Sequence, residues 1–124
     1  MTIQFYHYAR CSTCVKARRF LEENSISFES IPIVDSPPSK TTLADIHRRS
    51  NLPMKALFNT SGQSYRRGDF KNKLPKMSDD EKLTALANDG KLIKRPLLVS
   101  TQGVLIGFKH PQWETFFIPD PHKN

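Results

Sequence analysis

Cysteine is scarce in this chain: two residues, Cys11 and Cys14, among 124. That is too few for the disulfide scaffold of a small secreted protein. Long apolar runs are missing as well; none approaches the ~18–20 residues needed to cross a bilayer. The amino-terminal stretch MTIQFYHYAR has no basic region leading into an apolar one. No signal peptide is therefore expected, the cytoplasm is the expected location, and no membrane partner is expected. Acid is short relative to base. Lys and Arg number 19 and Asp and Glu 12, which leaves a formal charge of +7. Such a balance suits an anionic substrate or an acidic partner. The basic residues are nevertheless dispersed, from Arg18-Arg19 through Arg48-Arg49, Arg66-Arg67 and Lys71–Lys76 to Lys91–Arg95. No helix carries a continuous basic stripe and no nucleic-acid-binding motif is present, so direct nucleic-acid binding is not expected.

What is present describes a folded protein. Eight Phe, three Tyr, one Trp and a 37% hydrophobic content exclude a disordered chain. The length suits one domain, expected to span residues 1–124 and to act as a monomer. Thr2–Tyr8 is β-rich, with Ile3 and Phe5 on one face and Tyr6 and Tyr8 on the other, so both faces of this strand are expected to be covered. A helix is expected from Ser12 to Asn24, where Cys14, Ala17, Phe20 and Leu21 form an apolar stripe. Ser27–Val34 reads as a second strand, parallel to the first across a βαβ crossover.

Asp35–Lys40 (DSPPSK) breaks the pattern. Ser39 can cap a helix to Ser50, and Pro53 opens a short one over Met54–Phe58. Asn59–Ser64 reads as a loop, and Tyr65–Lys76 gives only a mixed signal. Ser78 and Glu81 form a capping box for a helix that stops at Asn88–Gly90. Leu97–Ser100 and Val104–Phe108 read as a hairpin about a Gln102-Gly103 turn, followed by a helix over Pro111–Phe117 and a loose tail, IPDPHKN. The order is β-α-β, a helical stretch over about residues 38–94, then β-β-α. With the helical stretch set aside, that is the element order of the thioredoxin fold, and the expected class is α/β with an inserted helical lobe.

The two cysteines lie three positions apart, in HYARCSTCVKARRF. At the mouth of a strand-to-helix turn, Cys11 falls near the helix N-cap, where unpaired N–H groups and the helix dipole favour an anion. Arg10 and Lys16 add nearby positive charge. A lowered pKa and a thiolate are expected at Cys11. Cys14, one turn on and facing inward, is within disulfide reach and suits the role of a resolving thiol. Two readings stand beside the redox pair: ordinary structural cysteines, and half of a zinc site. The other ligands available for zinc are His7, His47, His110, His122 and carboxylates, none at a zinc-finger spacing. No metal and no bound cofactor are expected.

The segment LIKRPLL places a proline at the entrance to a central strand, an awkward position for an ordinary peptide bond. In thioredoxin folds a cis-proline faces the active-site cysteines. The likeness implies a cis Arg95-Pro96 bond, with Arg95 close enough to Cys11 to hold an oxyanion or stabilise a thiolate.

Five segments together carry a more specific resemblance: FYHYARCSTCVKARRFLEENSISF, PPSKTTL, MKALFNTSG, LIKRPLLV and GFK. In these the chain resembles the glutaredoxin-like arsenate reductase family and its Spx-like relatives. The resemblance implies a thioredoxin-like sheet with a helical lobe and a nucleophilic cysteine at Cys11. It also implies an arginine clamp for arsenate, with glutathione, glutaredoxin or thioredoxin as electron donor. One clamp arginine is retained as Arg95, before Pro96. The position after AL-F is Asn59, and the one in the last strand falls around Phe108-Lys109. Cys14 in turn matches the C-x-x-C of Spx-type regulators, which bind the RNA polymerase α subunit and use a disulfide switch. The resemblance thus supports a thiol-disulfide oxidoreductase acting on a protein disulfide, a glutathione adduct or a small oxyanion. The alternatives are a polymerase-binding redox regulator and an arsenate reductase.

Overall fold

A computed structural model describes residues 2–118. The elements run β1 (Ile3–His7), α1 (Ser12–Glu23), β2 (Glu29–Pro32), α2 (Lys40–Ser50), α3 (Gln63–Arg67), α4 (Phe70–Lys73), α5 (Asp79–Asn88), β3 (Leu97–Ser100), β4 (Gly103–Ile106) and α6 (His110–Phe117). Single 3-10 turns at Met54–Leu57, Leu74–Lys76 and Gly90–Leu92 link the helices of the lobe. The strands form one sheet in the order β2-β1-β3-β4, with β1 parallel to β2 and antiparallel to β3. This is the thioredoxin-like α/β class that the element order implies.

Alternation along β1 sets the two sides. Ile3 and Phe5 point into a core shared with Ala17, Phe20 and Leu21 of α1, Leu98, Leu105 and Trp113 of α6. Tyr6 points the other way, into a core shared with Leu43, Ile46, Leu57, Leu86, Ile93 and Leu97. The lobe is therefore packed directly on the sheet. Trp113 is fully buried and its indole N–H donates to the Gly107 carbonyl at 3.1 Å, so its polar edge is satisfied. Local chemistry shapes the helix ends: Ser39 accepts from the Thr42 N–H, and Ser78 and Glu81 close a reciprocal capping box.

Several boundaries differ from the sequence pattern. β2 covers Glu29–Pro32 rather than Ser27–Val34, because it is an edge strand and pairs only along the length β1 offers. β4 stops at Ile106 because Gly107 takes a positive φ of 76° and leaves the ladder. Gly103 pairs with Ser100 within the ladder, so the hairpin turn is Thr101-Gln102 instead of Gln102-Gly103. The mixed Tyr65–Lys76 signal resolves into α3, α4 and a 3-10 turn. The loose tail falls on residues 119–124 except for Ile118, and with His122 lies outside the described residues.

Candidate functional site

The C-x-x-C sits where β1 hands over to α1. Tyr8 follows the last residue of the strand, and its carbonyl accepts the Cys11 N–H at 3.0 Å. Its own N–H points to the Cys14 Sγ at 3.5 Å. Cys11 takes the extended N-cap position of α1 and its carbonyl accepts from Val15 at 3.1 Å. The apolar spacing of α1 turns Cys14 inward, where it is 2% exposed, while Cys11 stays half-buried. Both thiols are free.

Arg95 reaches this helix start from the approach to β3, the neighbour of β1 in the sheet. The Arg95-Pro96 bond is cis, as the likeness implied. The Arg95 guanidinium lies over the Tyr8 ring at 5.0 Å and donates from Nη1 to the Lys91 carbonyl at 3.3 Å. Held in this way, it stands beside the Cys11 sulfur.

The two thiols respond oppositely to their surroundings. Partial burial pushes the Cys11 thiol up, but the Cys14 N–H, the Cys14 thiol and Arg95 together outweigh it, and the net shift is downward. Cys11 closes no capping hydrogen bond through its side chain, so the Cys14 N–H acts as a nearby dipole rather than a formed cap. Burial pushes Cys14 up to about 12, with the neighbouring Cys11 adding to the rise against the Tyr8 N–H and Arg95. Arg95 is the cation that acts on Cys11. Arg10 borders a separate recess, and Lys16 lies in the groove between α1 and α6.

Asn59 lies in the same region as Arg95. A bridge between Phe58 and Ile93, with hydrogen bonds Asn59 N–H to Leu92 O at 2.8 Å and Lys94 N–H to Leu57 O at 2.7 Å, brings the two segments together. Asn59 and Arg95 line a recess of about 210 Å³ with Tyr8, Ser64, Arg67 and Lys91. Pro96 is buried and is not one of the residues lining the recess, and its carbonyl accepts from the Gly107 N–H at 2.8 Å. The other clamp position is not part of this recess. Phe108 packs edge-on to Trp113 at 4.9 Å, and Lys109 is exposed at the N-cap of α6.

Arg66, Arg67 and Lys109 are the cations that follow the two altered clamp positions in sequence. Arg67 borders the recess, whereas Arg66 bonds the Ser61 carbonyl. Lys91 and the Tyr8 ring were not anticipated. The available signal was the four-residue step from Lys91 to Arg95 in GKLIKR, which a tight turn brings onto one side. His7 shares a hydrogen bond with Ser30 and stacks on Phe5 at 5.1 Å, a structural role. Among the described residues, no three His, Cys, Asp or Glu side chains converge as a metal site would require.

A larger recess of about 610 Å³ lies at the far end of the sheet, between Gln4, Asp45, Arg49 and Ser100. It is remote from the thiols, and its arginines are already paired with Asp45.

Comparison with known proteins accords with this geometry. Residues 6–116 match the model of the ArsC family. The chain is 46% identical to the uncharacterized protein YusI of Bacillus subtilis, over 92% of this chain and 97% of that one. It is 27% identical to an arsenate reductase of Neisseria meningitidis (85% and 89%) and 23% identical to the global transcriptional regulator Spx of Streptococcus pyogenes (91% and 83%). A crystal structure from Bacteroides fragilis, described as related to the ArsC family, superposes with a TM-score of 0.89. It is 43% identical and is matched over 93% of this chain and 97% of that one.

Proposed function

The chain belongs to the ArsC family, and on that premise we propose that it is a cytoplasmic thiol-disulfide oxidoreductase with Cys11 as nucleophile and Cys14 as resolving thiol. The observation that carries this reading is the asymmetry of the pair: an accessible sulfur at a helix N-cap beside Arg95, and a buried sulfur one turn later.

The Cys11 thiolate attacks one sulfur of a substrate disulfide. The substrate S–S bond breaks, one thiolate leaves and takes a proton from water, and Cys11 is held in a mixed disulfide. Formation of that bond removes the negative charge on Cys11, and with it one of the contributions that raise the Cys14 pKa. The Tyr8 N–H and Arg95 continue to favour the Cys14 thiolate. Cys14 is thus made more nucleophilic by the first step. It loses its proton, attacks the Cys11 sulfur and expels the second substrate thiolate. The substrate gains two electrons and the cysteine pair becomes a disulfide. An external thiol (glutathione, glutaredoxin or thioredoxin) returns the electrons, and no bound cofactor is needed.

Alkylation of the reduced protein across pH tests this. Cys11 is expected to react with an inflection below that of an ordinary thiol, and Arg95→Ala to move the inflection upward. Cys14→Ser is expected to accumulate the mixed disulfide, and Cys11→Ser to react with no disulfide. An ordinary inflection at Cys11, together with unaltered exchange in Cys11→Ser, would remove the reading.

Arsenate reduction at Cys11 is a narrower alternative. It is weakened by Asn59 and by Phe108, whose ring is committed to the aromatic core. A regulator that docks on RNA polymerase is favoured by the C-x-x-C shared with the Spx-type proteins. A pull-down with the polymerase α C-terminal domain, using oxidised and reduced protein, decides it; no binding in either state eliminates it.

A further inference from the structure

The recess that Arg95 shares with Asn59 has an unbalanced charge. Arg67, Lys91 and Arg95 border it together with the neutral residues Tyr8, Asn59 and Ser64, and among the described residues no carboxylate lines it. Among the described residues none of the three cations is in an ion pair. Arg48 and Arg49, by contrast, share Asp45. The unpaired cations come from separate places: Arg67 from the end of α3, Lys91 from a 3-10 turn, and Arg95 from the approach to β3. The Lys91 turn is held by the Asp89 side chain, which accepts the Lys91 N–H at 3.0 Å. Gly90 lies so close to β2 that an added Cβ would sit 2.0 Å from the Ile33 carbonyl oxygen. The placement of Lys91 is thus built into the fold.

Size and position narrow the ligand. A volume of about 210 Å³ has room for about seven waters, enough for a carboxylate on a short stem and too little for a folded segment. Arg95 is common to the recess and the Cys11 sulfur, so an anion bound there lies close to the sulfur under attack. Asn59 contributes an amide, which can donate to one oxygen without adding charge.

We propose that Arg67, Lys91 and Arg95 form a subsite for a carboxylate borne by the disulfide substrate, making this an oxidoreductase selective for small anionic disulfides. The inference rests on the oxidoreductase reading. It assigns to Arg67 and Lys91 a role in specificity, and to the Asn59 position a change from a clamp for a polyanion to a mixed amide and cation site.

The test uses the full chain and three small disulfides of differing charge: dithiodipropionate, hydroxyethyl disulfide and cystamine. Their kcat/KM values are compared with a saturating external thiol. Dithiodipropionate is expected to react fastest and cystamine slowest. Arg67→Ala and Lys91→Ala are each expected to reduce the anionic-to-neutral ratio about threefold to fivefold, the range of a solvent-screened ion pair. Arg66→Ala removes the same charge outside the recess and is expected to leave the ratio unchanged, which separates the subsite from the overall positive charge. Equal ratios in wild type, Arg67→Ala and Lys91→Ala would overturn the subsite while leaving Cys11-dependent exchange intact. Absence of Cys11-dependent exchange with all three disulfides would overturn both readings. Competition by sulfate or phosphate that far exceeds competition by acetate would assign the recess to a tetrahedral oxyanion and also overturn the proposal.

Discussion

The two faces of the sheet are packed differently and supply different parts of the site. Under α1 and α6 the core is dense and aromatic, with Phe20 edge-on to Trp113 at 6.0 Å and Phe108 edge-on to Trp113 at 4.9 Å. This face anchors the helix that carries both thiols. On the other face the core is largely aliphatic, and above it short helices and 3-10 turns carry Asn59, Arg67, Lys91 and Arg95. The thiol pair depends on one helix and one turn. The recess depends on several segments joined by a few backbone bonds, such as Asn59 N–H to Leu92 O. The helix that carries the thiols and the lobe can therefore be disturbed separately, except through Arg95, which acts on both.

The largest expected effect comes from the aromatic face. Trp113→Ala empties a fully buried site and is expected to cost about 3–5 kcal/mol, read by urea denaturation. A smaller, more local effect is expected in the lobe. Gly90→Ala presses a methyl group against the Ile33 carbonyl and is expected to cost about 1–3 kcal/mol. Because the Lys91 carbonyl helps to orient Arg95, the same change is expected to raise the alkylation inflection of Cys11. A Trp113→Ala protein that remains folded is expected to keep its inflection. An unchanged inflection in Gly90→Ala would break the link between lobe and thiol.

The pH dependence of stability separates the two sulfurs. Cys14 is raised in the folded state from 9.0 to about 12. Its contribution is fully present below the unfolded value and is lost as pH climbs through that window, because the unfolded chain releases the proton first. Cys11 is lowered when folded. Its contribution is present above the unfolded value and is lost as pH falls through the folded one. Cys14→Ser is therefore expected to flatten the alkaline decline in unfolding free energy, and Cys11→Ser to flatten the rise on the acid side of 9.0. Slopes unchanged in both variants would contradict the asymmetry. The smallest effect belongs to Ser78→Ala, which opens the capping box of α5. It is expected to cost about 1 kcal/mol by the same denaturation measurement, with no effect on Cys11.

Much of the fold was legible because its signals are local. The stripe of Cys14, Ala17, Phe20 and Leu21, the Ser78–Glu81 capping box and the alternation of β1 act over one or two turns of chain, and each appears where the pattern implies. Strand ends were less legible because pairing sets them: β2 stops where its single partner β1 stops, as an alternating pattern cannot reveal. Within the site, Cys11 and Cys14 stood out by spacing, and Arg95 by its proline and by resemblance. Arg67 could not be separated from Arg66 until α3 fixed which of the two borders the recess.

Sequence alone determined the strand-turn-helix with a thiol at the N-cap and a second one turn inward, since these follow from contacts between near neighbours. The balance at the Cys11 sulfur and the cationic recess were decided by the tertiary structure. Arg95 arrives from 84 positions away, stacked on Tyr8 and held by the Lys91 carbonyl. Asn59 and Arg67 join it only because the lobe folds back over the sheet. Coulomb forces and hydrogen bonds act through space, and the spatial neighbours of a side chain are settled by packing rather than by its place in the chain.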